Sequence, residues 1–360
     1  MNIIIRTDAS INIGTGHVIR CLTLADELRQ KGTDINFICR EGPGDLINYI
    51  ENRGYKVYQL LGEVDIETDM RLTKEVLLKY ETKPDWLIID RYDIDISYES
   101  PLKDHVKKIM VIDDLANREH DCDLLLDQNY SKNEGRYNSL VPEDCLQLLG
   151  PKYAILRPQF QKARENLRKR DGVINRILVF MGGSDPQNVT SKVLRAIHML
   201  DRFDIAVDVV VGSLNPYHDE IKTLASKIPN TSCHHNVEDM AELMASADLC
   251  IGAGGTTTWE RCCIGLPTIT IILAENQKNI SQSLDKEGAL INLGWYHNVT
   301  ESSIKDAIEG FVDHPQKIVS MGDKSKMLVD GEGVSRVVGV IVSIVDNIKK
   351  HEFTHKKEVV

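Results

Sequence analysis

The stretch Gly14-Thr15-Gly16-His17 carries the most direct chemical promise in the chain. Imidazole is the side chain best suited to exchange a proton near neutral pH, and the flanking glycines let backbone approach a ligand closely. Ahead of it, Asn2-Ile3-Ile4-Ile5-Arg6 is a short β-branched run; behind it, Val18 to Leu28 repeats apolar residues at helical spacing. Strand, glycine turn and helix form the opening of an α/β unit, whose ligands bind beyond the carboxyl ends of the strands. His17 therefore falls in the first turn of a helix, where the dipole favours the neutral imidazole that a general base requires. A dinucleotide turn also uses Gly-x-Gly, but Ile19 stands where its third glycine belongs and obstructs close helix–strand packing. A lone histidine is more often a surface or capping residue, so its companions elsewhere must decide.

Those companions are two glycine-rich turns in the second half. Phe180-Met181-Gly182-Gly183-Ser184-Asp185-Pro186 follows one apolar run, with Asp185 suited to cap a helix and Pro186 to begin it. Ile251-Gly252-Ala253-Gly254-Gly255-Thr256-Thr257 follows another and opens a helix that ends before Gly265-Leu266-Pro267. Bare glycine amides and hydroxyls at a helix N-terminus offer a cradle for a diphosphate without a lysine cluster; two ordinary tight turns would look the same. Glu260, about one turn into the second helix, suits a vicinal diol such as a ribose, or merely complements the dipole. Asn276 and Gln277 follow a further buried strand, placed to bond hydroxyls or phosphate or to cap a helix.

The elements that must position these residues alternate. Strands are expected at 2–6, 34–39, 56–60, 86–90, 109–113 and 123–127, with helices at 17–31, 44–53, 69–80 and 99–106. Such alternation implies a parallel sheet covered on both faces. A second series has strands at 176–181, 206–211, 249–252, 268–272 and near 290–293. Its helices are expected at 186–200, 216–227, 237–246, 257–264, 276–287, 301–313 and 334–349. The charged stretch 157–176 reads as an exposed helix and linker. The expectation is thus two Rossmann-like α/β domains facing each other across a cleft: 1–165, 166–350 and a frayed tail, 351–360.

Composition narrows the function classes. A chain of 360 residues that is 42% hydrophobic has room for two globular domains. A net charge of −11 argues against general nucleic-acid binding. The eight cysteines form no C-x-x-C pair, so buried free thiols in a cytoplasmic protein are expected, with neither disulfide framework nor zinc site. No signal peptide and no membrane-spanning run is evident, so no stable membrane association is expected.

Further segments, in order over residues 1 to about 295, carry a resemblance. They are Arg6 to Ser10 with Ile13 to His17, Ile89 to Tyr92, Ile112 to Asp114, Leu125 to Asn129 and Tyr153 to Arg157. Met181 to Asp185, Gly254 to Glu260, Gly265 to Pro267 and Asn276-Gln277 complete the set. Together the chain resembles the UDP-2,4-diacetamido-2,4,6-trideoxy-β-L-altropyranose hydrolases of pseudaminic acid biosynthesis, nucleotide-sugar enzymes of GT-B-like fold related to spore coat polysaccharide proteins. The resemblance implies that His17 is the catalytic base and that the second domain holds UDP. It implies further that Asp8, Gly14, Gly16, Tyr92, Arg157, Asn276 and Gln277 serve the sugar. Gly182, Gly183, Ser184, Gly254, Gly255, Thr256, Thr257 and Glu260 would serve UDP. The expected partners are a UDP-sugar substrate and UDP product, with no cofactor; nothing in the sequence specifies an oligomeric state.

Three alternatives compete. A glycosyltransferase of the same fold would pass the sugar to an acceptor, a pyrophosphohydrolase would cut between the phosphates, and a silent binding module would have no use for His17. Asp90, Asp93, Asp95, Asp113 and Asp114 have the chemistry for Mg²⁺, yet acids at parallel-strand ends often bind loop amides, and the resemblance implies no metal.

Overall fold

The computed structural model describes residues 1–358 apart from 12, 63, 236 and 238, with backbone alone at 349 and 351–358. The strands are β1 Asn2–Thr7, β2 Asp34–Arg40, β3 Lys56–Leu60, β4 Trp86–Asp90, β5 Ile109–Ile112, β6 Leu124–Asp127, β7 Leu146–Leu149, β8 Arg176–Phe180, β9 Ala206–Val211, β10 Thr231–His235, β11 Leu249–Ala253, β12 Thr268–Ile272 and β13 Ile291–Trp295. The helices are α1 Gly16–Gln30, α2 Ile47–Asn52, α3 Ile66–Leu77, α4 Ile96–Glu99, α5 Pro158–Glu165, α6 Val189–Met199, α7 His218–Ala225, α8 Met240–Ser246, α9 Thr257–Ile264, α10 Lys278–Glu287, α11 Glu301–Val312, α12 Pro315–Leu328 and α13 Gly333–Glu358.

Two compact units result: Met1–Ile155 with Glu332–Val360, and Leu156–Gly331. In the first, the strands run parallel in the order β3-β2-β1-β4-β5-β6-β7. Side-chain alternation sends Ile3 and Ile5 of β1 toward the core of α1, α2 and α13, and Ile4 toward the opposite core with Val76 and Tyr98. Strands buried on both faces read as continuous apolar runs, which is why they were legible. The order reverses direction between β1 and β4, so the crevice beyond their carboxyl ends is the first unit's expected ligand position.

In the second unit the order is β10-β9-β8-β11-β12-β13, again parallel, with the reversal between β8 and β11. Both glycine-rich turns leave from those two strands. The expected first helix at 186–200 begins later, at Val189. Asp185, in left-handed backbone (φ 42°), still caps it: its buried carboxylate accepts from the Val189 and Thr190 amides, both at 2.9 Å.

The boundaries differ from the expected 1–165 and 166–350. The stretch 157–176 is no exposed linker: α5 packs on α8 and α9, with Phe160 buried. Its arginines satisfy helix-end carbonyls, Arg164 reaching Cys263 O at 2.7 Å and Arg170 reaching Ala247 O at 2.9 Å. Conversely, α13 belongs to the first unit. Val334, Val337, Val338, Ile341 and Val345 form a helical stripe buried in the core that holds α1. Gly333 permits that docking, since a Cβ there would lie 2.2 Å from Ala154 O. Helix α13 also continues through the expected frayed tail to Glu358, and 359–360 lie outside the described residues. Strands β7 and β10 and helix α12 are additions to the expected elements. All eight cysteines are free thiols. Among the described residues, no helix is long and apolar enough to cross a membrane.

Candidate functional site

In the first unit, Gly14 takes φ +81° so that its amide can turn back to Ser10 O at 2.8 Å, delivering the chain into α1. His17 is the second residue of α1, whose N-cap Thr15 supplies no side-chain hydrogen bond and whose first turn holds no acid. Beside it, at the carboxyl end of β4, Asp90 is fully buried. Its Oδ1 lies 2.6 Å from His17 Nδ1. A carboxylate can only accept, so Nδ1 carries a proton, and in the neutral imidazole the lone pair sits on Nε2.

Arg20, one helical turn beyond His17, grips the same carboxylate through Nε and Nη2, both at 2.6 Å. Its Nη2 also lies 3.2 Å from Nδ1; donor then faces donor, and we assign that approach to the shared carboxylate rather than to a hydrogen bond. Burial alone would raise the Asp90 carboxyl, but the charge of Arg20 and the hydrogen bonds from Arg20 and His17 hold it well below the usual carboxylate range. The thiol of Cys21 donates to Oδ2 at 3.4 Å, and the Tyr92 ring stands edge-on to the imidazole at 4.6 Å. The result is an oriented imidazole held by a fixed anion at the topological switch point.

Asp8, the aspartate expected to serve the sugar, sits in a separate buried network. Its carboxylate is taken by Arg6 (2.5 and 2.9 Å), by Arg91 (3.1 Å) and by the Arg40 amide (2.7 Å). Asp69 closes that network with Arg6, Arg40, Arg91 and Tyr98. The remaining candidate Mg²⁺ ligands are likewise engaged. Asp93 pairs with Arg91, and Asp95 caps α4 through the Ser97 amide. Asp113 accepts from Ala116, Arg118 and Tyr137, while Asp114 pairs with Arg20 at 3.2 Å. Among the described residues, no three His, Cys, Asp or Glu side chains are grouped to hold a metal ion.

In the second unit, Gly182 takes φ +93° at the end of β8, and Gly183 O accepts from the Leu214 amide at 3.0 Å. At the end of β11, Gln277 ties down the other turn: its Oε1 accepts from the amides of Gly254 (3.3 Å) and Leu273 (2.9 Å). Gln277 thus shapes the turn that it was expected to flank, and Asn276 stands beside it in a short 3₁₀ turn. Thr256 is the N-cap of α9 without a side-chain cap bond, and Gly255 and Thr257 flank it. Glu260, mostly buried, accepts from Arg157 Nη2 at 3.2 Å, and Arg157 in turn lies over the Phe160 ring at 5.2 Å. Burial raises the Glu260 carboxyl and Arg157 pulls it back.

The structure therefore brings His17 and Tyr92 together in one unit, and Arg157, Gln277, Glu260 and the two glycine turns around β8 and β11 in the other. Sequence reasoning missed Asp90 as the partner of His17, together with Arg20 and the buried Arg261 of α9. The i, i+3 spacing of His17 and Arg20 was the available signal, since both lie on one helix face.

Comparison with known proteins adds three kinds of likeness. The glycosyltransferase family 28 C-terminal domain matches residues 177–336. A Methanocaldococcus jannaschii protein, MJ1062, is 31% identical over 77% of this chain, which spans 57% of that protein's length. The spore coat polysaccharide biosynthesis protein SpsG of Bacillus subtilis is 27% identical over 95% of this chain and 98% of its own. The UDP-2,4-diacetamido-2,4,6-trideoxy-β-L-altropyranose hydrolase of Campylobacter jejuni is 30% identical over 80% of this chain and 97% of its own. Among solved structures, Acinetobacter baumannii MurG superposes with a TM-score of 0.66 at 15% identity, covering 95% of this chain and 99% of that one, which establishes the fold. The two parallel-sheet units are those of a GT-B protein, and the chain belongs to the family of GT-B nucleotide-sugar enzymes that includes the C. jejuni hydrolase.

Proposed function

We propose that the protein hydrolyses a UDP-linked 2,4-diacetamido-2,4,6-trideoxy sugar of the altropyranose type, in pseudaminic acid or related surface-polysaccharide biosynthesis in the cytoplasm. The second unit binds UDP and the first supplies the base. The observation that carries this reading is the His17–Asp90 pair at the β1/β4 switch point, 2.6 Å apart and buried. The name of the C. jejuni relative supplies the substrate class.

In this mechanism His17 Nε2 takes a proton from water as the water oxygen attacks the anomeric carbon. The bond from that carbon to the phosphate oxygen breaks, and UDP leaves with the electron pair. Attack opposite the leaving group inverts the anomeric centre. Turn amides at 182–185 and amides at the N-terminus of α9, 255–257, stabilise the departing charge, so no general acid is required. Glu260 accepts the ribose hydroxyls, while Tyr92, Arg157 and Asn276 serve the sugar.

Hydrolysis in ¹⁸O-water tests the reading, with wild type and His17→Ala compared. Label at the sugar C1 oxygen, and a loss of ~10²–10⁴-fold in the variant, are expected. Label in UDP would mean attack at phosphorus and would overturn the mechanism. A second reading, transfer to a sugar or lipid acceptor, draws on the MurG-like fold and the family 28 domain; it predicts negligible turnover until an acceptor is added.

A further inference from the structure

We propose that Arg261 is a positioning residue whose charge makes the β11–α9 turn select a diphosphate over an uncharged nucleoside. The inference rests on the reading that the second unit binds UDP and assigns one residue the discrimination. Arg261 is 1% exposed. Its Nη2 donates to Ala253 O (2.7 Å) and Thr258 Oγ1 (3.0 Å), and its Nη1 to Thr257 Oγ1 (3.1 Å). All three acceptors are neutral, and its buried Nε has no partner.

Among the described residues Arg261 forms no ion pair, and in this it differs from the other deeply buried arginines of the chain. Arg6 faces Asp8 and Asp69; Arg20 faces Asp90 and Asp114. A guanidinium stays charged in proteins, and burying a charge without a counter-charge is costly. The neighbouring carboxylate, Glu260, makes its direct ion pair with Arg157 at 3.2 Å and meets Arg261 only as a weaker charge at longer range.

Position gives this missing counter-charge a direction. A Cβ on Gly252 would lie 2.9 Å from Arg261 Nη1 and 2.8 Å from Phe180 O. The guanidinium therefore lies at the paired ends of β8 and β11, beneath the point where both glycine turns begin. It also lies near the positive end of α9, where a cation is disfavoured by the dipole. Two positive potentials thus superpose at an N-terminus that lacks a side-chain cap. A multiply charged anion on the turn amides relieves both, without touching Arg261, whereas uridine relieves neither.

Binding of UDP and of uridine to the full chain, by calorimetry and ligand-observed NMR, tests this with Arg261→Gln and Arg261→Lys. For Arg261→Gln we expect a roughly ten- to hundredfold loss of UDP affinity, with uridine within about threefold of wild type. Arg261→Lys, which keeps the charge, should hold the UDP-to-uridine ratio within about threefold of wild type. Equal loss of both ligands in Arg261→Gln would reduce the residue to scaffolding and overturn the inference, as would an unchanged ratio. Should the Gln variant fail to fold, collapse of the ratio in a folded Lys variant overturns it. Wild type that binds neither ligand would defeat the nucleotide reading itself, a result distinct from tight UDP binding with an Arg261-independent ratio.

Discussion

Replacing Asp90 by asparagine tests the base assignment more sharply than removing His17, because it changes one atom of a buried carboxylate and leaves the imidazole in place. Asp90 Oδ1 accepts from His17 Nδ1 and from Arg20 Nη2, and Oδ2 from Arg20 Nε, all at 2.6 Å. An amide offers one oxygen and one donor. With the amide oxygen at the Oδ2 position, it accepts from Arg20 Nε and the NH₂ turns toward His17; the reverse orientation sets that NH₂ against Arg20 Nε, donor to donor. Nδ1 must then accept, the proton moves to Nε2, and the lone pair that should receive the water proton is gone. The loss should approach the whole contribution of a positioned base, ~10²–10⁴-fold in kcat/KM, or about 3–5 kcal/mol at 1.36 kcal/mol per decade. Removing half of a buried charge pair also destabilises, with an upper limit of roughly 3–5 kcal/mol; the variant is therefore assayed well below its melting temperature. UDP release from the sugar nucleotide reports the chemistry, and the UDP dissociation constant reports the second unit, which should be unchanged. A folded Asp90→Asn protein that turns over within about threefold of wild type, while His17→Ala is inactive, would refute the tautomer argument.

Three further outcomes follow from the charges and packing. Arg157→Met removes the charge that holds down the Glu260 carboxyl against burial, so Glu260 should protonate more readily. Nucleotide affinity of that variant should weaken as pH falls from 8 toward 5.5 and recover on return, measured by titration with UDP against a flatter wild type. Burial lifts the Asp127 carboxyl to about 7 against the opposing charge of Arg136, 2.7 Å away. A raised carboxyl stabilises the fold fully below its unfolded value near 3.8 and loses that contribution as pH rises through about 7. Asp127→Asn should therefore gain on wild type between pH 5.5 and 8, by at most about 2 kcal/mol for the roughly 1.5 pH units below about 7, in paired thermal melts; a pH-independent difference would count against it. Ile341, fully buried on α13, should cost about 2–5 kcal/mol on substitution by alanine, while alanine at exposed Met327 should leave the melting temperature within a degree or two.

The parts legible in the sequence are those whose physics is local. Central strands such as Trp86–Asp90 and Leu249–Ala253 are apolar on both faces and announce themselves. Edge strand Thr231–His235 is polar and half-exposed, and Leu146–Leu149 has only one fully buried residue, so neither carries the signal. The domain boundary failed for a related reason. Arg164, Arg168 and Arg170 look like a solvated run, yet in the fold they satisfy carbonyls at helix ends, a role indistinguishable from surface charge without the chain they cap. His17 could be singled out because glycine turn and helix start are local; Asp90 could not, because 73 residues separate the pair. Only the adjacency of β1 and β4 brings them together.

That adjacency also explains why two nearby buried aspartates have different fates. Asp8 follows β1 and Asp90 ends β4, and both could serve as orienting carboxylates. Asp8 meets Arg6, Arg91 and the Arg40 amide, all donors fixed by the sheet and its loops, so its oxygens are consumed before any ligand arrives. Asp90 instead meets α1, where His17 and Arg20 sit one turn apart and share it. Arg20 supplies the neutralising charge that lets the carboxylate remain buried and ionised, and so frees it to fix the imidazole rather than take its proton. Buried pairs of this kind add little net stability compared with apolar packing; their value here is orientation. The side of the switch point on which an aspartate meets a helix start, rather than its own acidity, decides whether it orients the proposed base or ties down the loops of the sheet.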